Sequence, residues 1–66
     1  MAYYVLEIKT GIYHTSKTDS PISALAEVVY PFFNKHDPDF AEWLIKQSLM
    51  IVGTDTLEYN GFAVQY

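Results

Sequence analysis

The densest group of chemically capable side chains in this chain is His36-Asp37-Pro38-Asp39. An imidazole and two carboxylates so close together first suggest a metal site. A hard cation, however, needs more oxygen ligands than this stretch offers. Zinc would need His14 brought alongside, and nothing in the spacing requires that. Helix capping accounts for the same residues: Asp37 as N-cap, Pro38 at the first helical position, Asp39 adding charge to the first turn. Neither a metal nor a cofactor is expected.

Acid–base work would fall to Glu7 and Glu58, on strands whose pairing could make them neighbours, or to His14 beside an acid. Both glutamates sit on polar faces of predicted strands, where carboxylates are ordinarily solvated. Ser16, Ser20, Ser23 and Ser48 fall in no nucleophile-elbow pattern, and Gly11, Gly53 and Gly61 form no phosphate-cradling loop. The expectation is a protein that is not an enzyme.

Composition narrows the classes further. The 66 residues contain no cysteine, which removes disulfides, thiolate metal sites and cysteine nucleophiles. Met1-Ala2-Tyr3-Tyr4 lacks the basic start of a secretory leader, and apolar runs such as residues 49–52 are far shorter than a membrane span. A cytoplasmic protein without membrane contact is expected. Net charge is −4, and the four basic residues, Lys9, Lys17, Lys35 and Lys46, are all lysine. Without arginine the chain lacks the planar fork that grips phosphate or guanine. Scattered lysines outnumbered two to one by acids argue against direct nucleic-acid binding.

The elements that position these residues are signalled locally. Asn60-Gly61 predicts a two-residue type I′ hairpin, because both turn positions need φ > 0. That turn pairs Tyr59 with Phe62, Leu57 with Val64 and Asp55 with Tyr66 on an apolar face. Glu58 with Ala63 and Thr56 with Gln65 take the polar face. Residues 2–8 alternate as a strand, with Tyr4, Leu6 and Ile8 expected inward and Tyr3, Val5, Glu7 and Lys9 outward. Gly11 suits a turn into a second strand, Ile12 to Thr15.

Ser20-Pro21 starts a helix whose stripe is Ile22, Leu25, Ala26, Val29 and Phe33. Pro31 should end or kink it, and Asn34-Lys35-His36 completes the break. Asp37-Pro38 starts a second helix with Phe40, Trp43, Leu44 and Gln47 on one stripe and a Glu42–Lys46 pair outside. Residues 49–52 fit either helix or strand. The predicted architecture is a single α+β domain over residues 1–66. Its small antiparallel sheet has three to four strands, two short helices pack on one face, and the order is β-β-α-α-β-β.

Half of the residues are hydrophobic and 17% aromatic, a large share for so little interior. Some rings must lie bare, and bare tyrosine or tryptophan is typical contact chemistry. Tyr3, Val5 and Tyr13 are expected to form one exposed strip, joined by Glu7 and Glu58 as acidic contacts. Tyr30, Phe32 and Trp43 surround the helix break as a second patch, with Trp43 expected in the core. The function expected is a small acidic protein-binding module that works by covering a partner's surface. One form is an inhibitor of host nucleic-acid-processing machinery encoded by a phage or mobile element, resembling anti-CRISPR or polymerase inhibitors in size and charge alone. The alternative is a self-associating homodimer, and the third reading a small-ligand binder.

Overall fold

Asn60 and Gly61 turn the chain with φ of 52° and 87°, the positive pair that a type I′ hairpin requires. The computed structural model describes residues 2–65. In it this turn joins β4 (Thr56–Tyr59) to β5 (Phe62–Gln65). Their register is the expected one, with Tyr59 opposite Phe62, Leu57 opposite Val64, Glu58 opposite Ala63 and Thr56 opposite Gln65. The Asp55–Tyr66 pair lies outside the described residues.

Before the hairpin come β1 (Tyr3–Glu7), β2 (Ile12–Ser16), α1 (Pro21–Val29), α2 (Pro31–His36), α3 (Pro38–Lys46) and β3 (Met50–Val52). The sheet has five strands in the order β2-β1-β5-β4-β3, every neighbouring pair antiparallel. Gly11, at φ 74°, closes the β1–β2 turn, where its N–H donates to the Glu7 carbonyl at 2.8 Å. Residues 50–52 resolve as strand and supply the fifth strand, on the outer side of β4. The α+β class and the helices on one face are as expected, and the first strand pairs with the terminal hairpin through β5. The sheet gains one strand and the helical layer one helix.

The extra helix arises at Pro31. Helix α1 starts as its sequence indicates: Ser20 Oγ accepts from the Ser23 N–H at 3.1 Å, and Pro21 follows at the first position. It ends at Val29 because Pro31 has no N–H to continue the ladder. Proline's fixed φ suits a helix start equally well, so the chain winds on immediately as α2. Asn34-Lys35-His36, expected as a break, is therefore helical. Asp37 then caps α3, its Oδ1 accepting from the Phe40 N–H at 3.2 Å.

The core consists of Val5, Ala24, Leu25, Ala26, Ala41, Ile45, Leu57, Tyr59 and Val64. It corrects the facing assigned to β1. Val5 is fully buried, whereas Tyr4 is 59% exposed. The cause is cross-strand register: Val5 lies directly opposite Val64, whose face the hairpin had already committed to the core. Tyr3 follows Val5 inward and packs against the core.

Helix α3 is likewise turned from its expected orientation. Ala41 and Ile45 are buried, while Phe40 and Trp43 are exposed. Helices α1 and α3 pack together with Ala24 and Ala41 wholly buried, small side chains of the kind that permit close helix approach. Glu42 does not simply serve an outside pair with Lys46. It is half-buried and accepts a hydrogen bond from Ser23 Oγ at 3.3 Å. Phe33, assigned to the first helix's core stripe, sits on α2 and is partly exposed. No helix among the described residues is long and apolar enough to cross a membrane.

Candidate functional site

Two consequences of the helical layer combine into one surface. Restarting at Pro31 throws Phe32 and Phe33 to the outside of α2, and turning Ala41 and Ile45 inward leaves Phe40 and Trp43 outside on α3. The rings then run in sequence across the two helices. Phe32 and Phe33 meet edge to face at 5.8 Å, Phe33 and Phe40 at 5.1 Å, and Phe40 stacks on Trp43 at 6.1 Å. Exposure is highest at the ends of the row, 67% for Phe32 and 55% for Trp43. Asp37 and Asp39 lie exposed in the adjoining turn, and His36 lies against Phe32 with ring centres 4.6 Å apart.

Tyr30 ties this row to the core. Its ring is 6.1 Å from Phe33 and 6.0 Å from Tyr59, and the two tyrosine hydroxyls are 2.6 Å apart. The hydrogen bond to Tyr30, together with burial, raises the Tyr59 pKa above the ordinary 10.0. The row thus rests, through Phe33, on a hydrogen-bonded tyrosine pair whose inner member, Tyr59, belongs to the core. Chemically it can do one thing well: offer a broad, rigid, apolar and π-rich surface with carboxylates close by.

The residues expected to bind are distributed differently. Tyr13 is 65% exposed, as expected, but it lies opposite Leu6 and so shares a face with Tyr4, not with Tyr3 and Val5. Val5 is removed from any surface role by complete burial, and Tyr3 is only partly exposed. Tyr30 is half-buried and acts as the support just described. Glu7 and Glu58 are both half-buried but project from opposite faces of the sheet, so strand pairing does not bring them together. Glu7 approaches His14 instead, with Oε1 3.6 Å from Nε2, too long for a hydrogen bond.

Sequence reasoning missed one polar network. Ser16, 2% exposed, donates to Glu27 Oε2 at 3.0 Å and is also within 3.3 Å of Thr18 Oγ1. Thr18 Oγ1 donates to the Ser20 carbonyl at 3.1 Å, and Ser20 and Ser23 hydroxyls are 2.9 Å apart. These bonds tie β2 and the following loop to the start of α1 and, through Glu27, to its last turn. Burial of Ser16 closes it to any substrate, so the network is read as structural. Among the described residues no group of three His, Asp or Glu is placed to hold a metal ion.

The fold and the surface together define a two-layer α+β protein, five antiparallel strands backed on one side by three short helices that present an aromatic row. No family model matches this chain, and no curated protein and no solved structure matches it.

Proposed function

We propose that the protein is a binding module that acts by covering a surface of another protein with the Phe32–Phe33–Phe40–Trp43 row. The observation that carries this reading is the row's exposure. Four contiguous rings on two helices are exposed to solvent in a chain whose core already holds Leu25, Ile45, Val5 and Val64. Solvent-facing rings of this density gain little from folding and offer contact area for association. Asp37 and Asp39 beside the row, in a chain of net charge −4, favour a partner with an apolar groove and a basic rim. A surface that handles nucleic acid has that character, so inhibition by occlusion is the form of activity that fits.

The test uses Phe32→Ser and Trp43→Ser in affinity capture and titration against the captured protein. Each variant should weaken binding at least about tenfold, since central aromatic anchors commonly contribute 2 kcal/mol or more (roughly). Melting should shift by little. Undiminished capture by both variants would remove the helical row from the function.

A further inference from the structure

We propose that the open face of the sheet is a self-association surface, on which a second copy of the chain packs sheet against sheet. The face is defined by register. Tyr13, Leu6, Ala63, Glu58 and Met50 follow one another across the five strands as directly paired residues. An antiparallel sheet face that meets water normally carries polar side chains. This row holds a single charge, and its strands add Tyr4 and Val52, 59% and 42% exposed, to the same face beside the uncharged polar side chains of Thr15, Thr56 and Gln65.

Charge selects the occupant. Of the eight acids, Glu7 projects to the covered side, and Asp19 and Asp55 lie in loops. Glu27, Asp37, Asp39 and Glu42 belong to the helical layer. Only Glu58 marks the open face. A basic partner would find one carboxylate there, whereas two copies of an acidic chain meet there with the least repulsion. Shape agrees. Tyr4, Leu6, Tyr13, Thr56, Ala63 and Gln65 line a depression of about 150 Å³. Apolar cavities of about that size accept a benzene ring, so the small side chain of Ala63 leaves room for one ring from the facing copy.

Area sets the strength of the dimer. Strand spacing of about 4.8 Å and a rise of about 3.4 Å per residue give each face roughly 400 Å² in flat projection. Two such faces bury roughly 800 Å², below the ~1,200 Å² at which specific stable interfaces begin, so the dimer is a weak one. The result is four layers, helices outside and sheets inside, with an aromatic row on each outer surface. This dimer is independent of the partner reading of that row.

Sedimentation equilibrium of the purified chain from about 1 µM to about 1 mM should show a monomer–dimer equilibrium with a micromolar dissociation constant. Ala63→Glu, which sets a carboxylate in the depression, should abolish the dimer. Tyr13→Ser, at a position already mostly in solvent, should weaken it about tenfold with unchanged circular dichroism, and Trp43→Ser should leave it intact. A monomer throughout that range would overturn the proposal, whether or not an apolar dye binds the depression. So would a dimer that survives both sheet-face variants or is lost with Trp43→Ser.

Discussion

Tyr59 shows how one residue links stability to pH. Its hydroxyl, bonded to Tyr30 and buried, has a pKa raised above 10.0, so the folded chain holds the phenolic proton more tightly than the unfolded chain does. The associated stability is therefore complete below the unfolded pKa and is lost as pH climbs through the folded one. Denaturant midpoints should fall as the pH passes about 10, and the Tyr59→Phe variant should show a shallower alkaline decline. At neutral pH the same variant should be less stable by about 1 kcal/mol, the net worth of a hydrogen bond whose partner is left behind. Gly61 is a second single-residue control. A Cβ there would meet nothing within 4 Å, so the penalty for Gly61→Val comes from the strain of φ 87° on a β-branched residue. A loss of at least about 1–3 kcal/mol in chemical denaturation is expected.

At the scale of elements, the two faces of α3 make opposite demands. Ala41 is sealed against its neighbours, so Ala41→Leu overpacks the layer and should cost about 1–3 kcal/mol. Trp43 is more than half in solvent, and Trp43→Ser should cost about 0.5 kcal/mol or less. Thermal or denaturant unfolding of the two variants measures this contrast directly, and equal losses would mean that α3 is oriented as its hydrophobic spacing first implied. That spacing misled for a physical reason. Phe40, Trp43 and Gln47 recur on a helical period, but so do Ala41, Leu44 and Ile45. Amphipathicity ranks these stripes by hydrophobicity, whereas close packing of α3 on α1 ranks them by size. Strand β1 posed the same ambiguity, since Tyr3 and Val5 are as apolar as Tyr4 and Leu6.

The whole molecule is small enough that its rings cannot all be interior. A domain of this length buries only about 60% of its extended surface, and the chain exposes aromatics on both of its layers. As the sole tryptophan, Trp43 reports on one of them. Its emission in the free protein should be that of a hydrated indole and readily quenched by acrylamide. It should shift to the blue when the helical row engages a partner, yet stay unchanged on sheet-to-sheet dimerisation. A blue, protected emission in the dilute free protein would place the indole inside and remove the row as a contact surface.

Some features were settled by residues acting on their immediate neighbours. Asn60-Gly61 dictates a hairpin and its register because positive φ is available locally, and Ser20-Pro21 and Asp37-Pro38 dictate helix starts because their caps reach only three residues. The α+β class follows from the order of those signals. Which side of β1 and which stripe of α3 turn inward was decided only in the assembled fold. Those choices depend on Val5 lying opposite Val64 and on how close α1 and α3 can come, contacts made across long stretches of chain. The aromatic row is the product of that second kind of decision: burying Ala41 and Ile45 is what turned Phe40 and Trp43 outward to meet Phe32 and Phe33.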